Sequence, residues 1–308
     1  MLLKSSASGI KRLMKRSISE TLEFLGVTSA ETKVVYSDRT RDNENLKVWK
    51  DTGSGVIYID DFYTGDEEYI SGEFRRDIVA NLGTGKRNFE RDADMRRRFS
   101  ENLQHVAGKD CLDFGCGGGE FLEAVESHCE SVTGVELEES YLEQLAGKGI
   151  RALADLSQVE NRSIDTIVSF HVIEHLPDPI SVLADLKSKL RVGGVIIVEV
   201  PHAKDFLLSK VNCDAFKNFT LWSQHLVLHT RESLEKLLLC SGFTDVTIRG
   251  VQRFPLSNHI QWLSAGKPGG HKSELSMIDS PNLHYAYAGA LAALDVTDTL
   301  VAVARVES

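Results

Sequence analysis

The chain has 308 residues, 42% hydrophobic and 26% charged, enough for one large globular domain or a domain with a smaller appendage. A net charge of −10 argues against nucleic acid as a partner, and no apolar run reaches the length of a membrane span. Cys111, Cys116, Cys129, Cys213 and Cys240 form no CxxC pair and read as reduced thiols of a cytoplasmic protein.

In chain order, residues 1–19 carry Lys4, Lys11, Arg12, Lys15 and Arg16, with no acid and no apolar core of a secretory signal. Ile10, Leu13, Met14, Ile18, Leu22 and Leu25 fall on one helical face. That predicts an amphipathic helix docked on the body or on a second copy in a homodimer, with membrane-surface contact as the alternative. LKVWKD and VIYID read as strands joined by a turn at Gly53–Gly55. Tyr58, Phe62, Tyr63 and Tyr69, mixed with Asp60 and Asp61, form either a hairpin beside the core or a lid over the site. Residues 88–106 read as a helix whose arginines make a solvated face, since acids interleave with them.

From residue 109 the pattern alternates. KDCLDF, SVTGVEL, IRALAD, IDTIVSFHV, GVIIVEV, TDVTIRGV and a final TLVAVARV read as strands. FLEAVESH, SYLEQLAGK, Pro179–Leu190 and TRESLEKLLLCSGF read as helices between them. The alternation predicts an α/β fold, a doubly wound, mostly parallel sheet covered on both faces. Residues 1–108 form an N-terminal extension of short strands and helices, expected to cap the acceptor site; residues 109–308 form the main domain, with an insertion at 252–296.

The stretch CLDFGCGGGEF puts Gly115, Cys116, Gly117 and Gly119 between a strand and a helix, with Asp113 just before them. A glycine turn there brings backbone close to a ligand at a helix N-terminus, where negative charge is favoured. Dinucleotides call for G-x-G-x-x-G, but Glu120 stands where the third glycine belongs, so a carboxylate would face the pyrophosphate. A nicotinamide oxidoreductase is disfavoured on that ground. The spacing suits a ligand with a carboxylate and a ribose. Glu136, closing the next strand, can accept both ribose hydroxyls, and Asp155, closing the third, can reach an adenine amine.

DFGCGGG, VTGVELEES, ALADL, IDTIVSFHVIEHLPDP and LRVGGVIIVEVP, in that order, resemble the motifs of class I S-adenosylmethionine-dependent methyltransferases. The branch most resembled contains small-molecule enzymes of quinone, sugar and natural-product pathways. The resemblance implies a Rossmann-like sheet of seven strands with the last, TLVAVARV, antiparallel. It implies S-adenosylmethionine as cofactor. Asp113 then orients the methionine ammonium, Gly115, Gly117 and Gly119 pass beneath that moiety, and Glu136 holds the ribose. Leu137 lies beside the adenine, Asp155 and Leu156 meet its edge, and Phe170 and His171 lie beside the sulfonium.

Methyl transfer from a sulfonium is an in-line displacement, so the protein must position the acceptor and take its proton. His171, His175, His202 and His225 are the catalytic candidates, with His229 near them, because they follow strand ends where ligands bind in open α/β sheets. His175 has a purely structural alternative, bonding the loop backbone. No metal is expected, since no dense carboxylate cluster appears; Glu174, His175 and His202 are the residues that would hold one. Asp178 caps a helix with Pro179 in its first turn. GKPGGH at 266–271 is a turn or a phosphate cradle. The expected activity is O-methylation of a small molecule, a sugar or glycosyl-linked intermediate among the candidates. N- or C-methylation and a non-catalytic cofactor-binding module are the alternatives.

Overall fold

The computed structural model describes residues 16–60, 62–63, 65 and 89–307, apart from the side chains of 89–91. Most of the basic N-terminal segment, with Asp61 and Tyr69, lies outside the described residues.

Helix α1 (Ile18–Phe24) begins at a capping box between Ser17 and Glu20 and buries Ile18 and Leu22. Strands β1 (Lys33–Ser37), β2 (Val48–Asp51) and β3 (Ile57–Ile59) follow as an antiparallel meander. The β2–β3 turn is closed by Asp51, whose Oδ1 accepts from the backbone N–H of Gly53 and Ser54 at 2.9 and 2.7 Å. A fourth strand, β9 (Val227–Leu228), joins this sheet from far along the chain and pairs with β3. Tyr58 is 1% exposed within it, so this ring is core and not lid.

The main sheet contains β4 (Asp110–Phe114), β5 (Ser131–Val135), β6 (Ala152–Leu153), β7 (Ile164–Phe170), β8 (Leu190–Pro201), β10 (Thr244–Val251) and β11 (Thr299–Arg305). Its order is β10-β11-β8-β7-β4-β5-β6. Neighbours from β8 to β6 run parallel, while β11 is antiparallel to both β8 and β10. Central strands covered on both faces are apolar throughout, as in Val195–Val198, all buried. Glu199 breaks that run and is 1% exposed.

Helices α2 (Phe89–Val106), α3 (Glu120–Val125), α4 (Glu139–Gly147), α5 (Pro179–Lys189), α6 (Phe206–Ser209), α7 (Asp214–Thr220) and α8 (Arg231–Cys240) connect or cover the strands. Asp178 caps α5 through Ser181 N–H, with Pro179 at its start. Residues 252–296 hold α9 (Leu256–Ala265) and α10 (Pro281–Ala293). Gly266 ends α9 in a left-handed conformation and the Gly269 N–H donates to Asn258 Oδ1 at 2.9 Å, so GKPGGH is a helix stop bonded to its own helix. Among the described residues, no helix is long and apolar enough to cross a membrane.

Candidate active site

The topological switch of the main sheet lies between β4 and β7, where chains leave in opposite directions and ligands bind at the strand ends. The glycine turn sits there. Gly115 has φ +78, and a Cβ on it would stand 2.4 Å from Val172 Cγ2, so only glycine lets the turn pass the β7 loop. Gly117 has φ +54, and a Cβ on it would meet nothing within 4 Å. The Cβ direction at 117 is therefore open, and its positive φ is what asks for glycine there.

Asp113 closes β4 and is 4% exposed. Burial pushes its carboxyl up to about 7, Arg98 pulls it down, and the charges of Glu136 and Glu120 raise it further. A buried acid so poised is ready for a cation, which fits the ammonium of the methionine half of S-adenosylmethionine. Glu136, 6% exposed, accepts from the N–H of Gly117 at 2.8 Å, Leu137 at 2.8 Å and Glu138 at 3.0 Å. Those three donors fix its carboxylate and leave acceptor capacity for a hydroxyl. They also take the Gly117 N–H, so a ligand carboxylate does not bind that amide while Glu136 holds it. Leu137 is 43% exposed, suited to cover an adenine face.

Asp155 departs from the sequence expectation. It stands beyond the end of β6, is exposed, and its carboxylate accepts from Ser157 N–H at 2.7 Å in a capping box with Gln158. That hydrogen bonding holds it below the usual carboxylate range. Leu156 begins the short 3-10 turn it caps.

Phe170 ends β7 edge-on to Phe121, centroids 5.1 Å apart, with the Arg98 guanidinium 4.5 Å from its ring centroid. His171 follows with φ +57, a left-handed conformation that costs a non-glycine residue strain and recurs at functional sites. Its Nδ1 lies 3.2 Å from Glu174 Oε1, and its Nε2 lies 3.2 Å from both Glu199 Oε1 and Arg253 Nη1. Burial works against its charge, but the hydrogen bonds to Glu174 and Glu199 outweigh burial and hold it above the usual imidazole range.

Glu199 was not among the expected site residues. Both its oxygens accept from Arg97 Nη2 at 2.9 Å, and Oε1 accepts from Arg98 Nη2 at 2.6 Å. Although buried, it is held ionised far below the ordinary value by Arg98, His171 and Arg97. Asp94 pairs likewise with Arg253. The expected solvated arginine face of α2 is thus corrected: Arg97 and Arg98 are each 18% exposed and seat the helix on the strand ends. The interleaved acids disguised an inward face; the lone glutamate in VIIVEV was the available sign of it.

His175 and His225 gather beside Glu174, while His202 does not. Glu174 is fully buried, and its carboxyl falls to about 2 because the bond to His171 and the nearby His175, His171 and His225 outweigh burial. His175 Nδ1 lies 2.8 Å from the Gln224 carbonyl, and the His175 and His225 rings are 5.0 Å apart. One donor atom each from Glu174, His175 and His225 lie within 4.8 Å of one another, a set that could hold a divalent ion. Glu174 Oε2 and His225 Nδ1 have no hydrogen-bond partner. Burial first, then His175, pushes His225 down to about 3, so it stays neutral. His202 and His229, each 2% exposed, bridge the loops after β8 and β9. His202 Nδ1 meets the Thr297 carbonyl at 3.0 Å and its Nε2 lies 3.9 Å from Asp295, so the ring's neighbours are those of the 295–297 loop. The expected metal set is therefore corrected to His225 in place of His202.

A methyltransferase domain family model matches residues 87–248, more than half the chain. The ubiquinone biosynthesis O-methyltransferase of Thiobacillus denitrificans is 29% identical over 39% of this chain, which spans 57% of that relative's length. The enzyme of the same name from Idiomarina loihiensis is 28% identical over 54% of this chain and 74% of its own. In fold, the chain resembles the 1,6-didemethyltoxoflavin-N1-methyltransferase of Burkholderia thailandensis, solved with 1,6-didemethyltoxoflavin and S-adenosylhomocysteine. That likeness has TM-score 0.51 at 18% identity, covering 82% of this chain and 95% of that one. With its glycine turn, strand order and matched residues, the chain belongs to the methyltransferase domain family, as a class I S-adenosylmethionine-dependent methyltransferase.

Proposed function

We propose that the protein methylates a hydroxyl oxygen of a small molecule, with His171 receiving the hydroxyl proton. The cofactor, when bound, supplies an activated methyl on a positively charged sulfur. Asp113 holds its ammonium, Glu136 its ribose hydroxyls, and Phe170 lies beside the sulfonium. Holding methyl and oxygen in line accounts for most of the acceleration, roughly 7–11 kcal/mol in favourable models, and a proton acceptor adds about 10²–10⁴-fold.

The observation that carries this reading is the wiring of His171. Glu174 fixes Nδ1, which leaves Nε2 as the nitrogen that gains or loses a proton. Neutral Nε2 accepts from Arg253, whereas protonated Nε2 donates to Glu199. Both states have a partner in place, and an acceptor hydroxyl delivers its proton to Nε2 by displacing Arg253 from its lone pair. The oxygen preference is supported by the ubiquinone biosynthesis relatives, which are O-methyltransferases; glycosyl-linked hydroxyls remain among the acceptors to be tried. Transfer of tritiated methyl from the cofactor to a hydroxyl panel tests it. Label is expected in an ether product, with His171→Asn at least a hundredfold slower; label on nitrogen or carbon alone, or an undiminished His171→Asn rate, would overturn it.

A second reading is favoured by one observation, the convergence of Glu174, His175 and His225 with two unpartnered polar atoms. Glu174, His175 and His225 would hold a divalent ion, which would supply a Lewis acid for the acceptor oxygen. Elemental analysis of the purified protein, with titration of zinc or manganese into His225→Ala, separates the two readings.

A further inference from the structure

The neutral His171 ring carries one proton and stands between two carboxylates. Glu174 Oε1 lies 3.2 Å from Nδ1, and Glu199 Oε1 lies 3.2 Å from Nε2. Either oxygen can accept a ring N–H, so the two alone leave the proton free to sit on either nitrogen. With the proton on Nε2, the ring has no lone pair to offer there.

Arg253 removes that ambiguity. Its Nη1 lies 3.2 Å from Nε2. A guanidinium has donors and no acceptor, so in this contact the neutral imidazole supplies the lone pair and keeps its proton on Nδ1. Glu199 competes less well for a proton on Nε2, because Arg97 and Arg98 already donate to it.

The guanidinium is itself held from both sides. Asp94 of α2 accepts from its Nε at 3.0 Å on each oxygen, and from its Nη2. The backbone N–H groups of Arg253 and Phe254 donate to Asp298 Oδ2 at 3.0 and 3.2 Å. Gln252 closes this turn: its amide nitrogen donates to Asp298 Oδ2 at 2.9 Å, and its side-chain carbonyl accepts from the Asp298 N–H at 3.2 Å. His259 of α9 lies 3.4 Å behind the Gln252 amide, and its Nδ1 bonds the Tyr287 hydroxyl of α10 at 2.6 Å. The helices of the 252–296 insertion therefore brace the residue that meets His171.

We propose that Arg253 is a positioning residue for methyl transfer: it locks neutral His171 in the Nδ1–H form and keeps the place beside Nε2 that the acceptor hydroxyl takes. The acceptor O–H replaces one guanidinium N–H at the same lone pair, while Asp94 keeps the displaced guanidinium paired. This inference rests on the reading of His171 as proton acceptor and names what sets it.

The test is long-range ¹H–¹⁵N NMR of the histidine rings in the full chain, at alkaline pH and without acceptor, with His171 assigned by its loss in His171→Asn. Wild type is expected to show Nδ1–H alone. Arg253→Met is expected to show a mixture with Nε2–H, and Arg253→Lys, which keeps a donor and adds no acceptor, the wild-type form. With an acceptor taken from the hydroxyl panel, Arg253→Met should lose about tenfold or more in kcat with KM no higher, since nothing then has to be displaced, and Arg253→Lys should recover most of the rate. Should Arg253→Met not fold, Asp94→Asn loosens the same guanidinium and is expected to show the mixture. Nε2–H in wild type, an unchanged ring in whichever of these two variants folds, or equal rate losses in the Met and Lys variants would overturn the proposal. Undiminished transfer by His171→Asn would instead strike the proton-acceptor reading, while the ring's proton position still decides this one.

Discussion

Replacing Glu174 by Gln removes one charge from a fully buried site and leaves the shape nearly unchanged. Its carboxyl is drawn from 4.5 to about 2, chiefly against burial, by the His171 bond and the neighbouring histidines. A displacement of that size corresponds to ~3 kcal/mol of net favourable interaction, chiefly with the charged His171 imidazole. The same interaction, seen from the other side, is what lifts His171 above its ordinary value. In Glu174→Gln the His171 midpoint is therefore expected to fall by at least one unit, with Glu199 alone still supporting the charge. Histidine-selective ¹³C NMR reads this without any acceptor, with the His171 signal identified by its loss in His171→Asn. The signs for stability follow from the two directions. The raised His171 value adds stability that is complete below its unfolded midpoint and fades as pH rises through the folded one. The depressed Glu174 value adds stability present above about 4.5 and lost as pH falls toward about 2. An unmoved His171 midpoint in the variant would refute the coupling, and with it the assignment of the proton to Nε2.

Asp113→Asn is expected to weaken S-adenosylhomocysteine binding by about ten- to a hundredfold by calorimetry; because the wild-type acid sits near 7, wild-type affinity should rise as pH climbs through that value. Gly115→Ala, whose Cβ would collide with Val172, should cost ~1–3 kcal/mol in urea unfolding, whereas Gly117→Ala, with open space ahead, should cost less stability and more cofactor affinity. Glu199→Ala leaves Arg97 with Glu101 and Asp94 but takes from Arg98 its one carboxylate ion-pair partner among the described residues, and should lower the urea midpoint by an amount worth about 3–5 kcal/mol.

The sheet was legible because its strands are long apolar runs cut by helices, and β7 and β11 lie within their predicted spans. The strand β9 was not, since Val227 and Leu228 sit inside QHLVLHT, too short for any periodicity, and pair only because β3 offers an edge. In the site, Asp113 and the glycines were marked by spacing, which backbone geometry dictates. The capping role of Asp155 was not legible because its distance from a strand end does not tell whether a helix N-terminus will capture it. Glu199 and Arg98 escaped because their pairing spans 101 residues, a separation at which sequence carries no local signal. The histidines could be placed near strand ends but not sorted. Only packing decides that His202 faces Thr297 while His171 faces Glu174.

A crystal structure with S-adenosylhomocysteine bound tests the central claim most directly. The account predicts the ammonium on Asp113, the ribose hydroxyls on Glu136, and the sulfur beside Phe170, its vacant methyl position pointing toward His171 Nε2. A ligand seated elsewhere, or one whose sulfur faces away from His171, would contradict it.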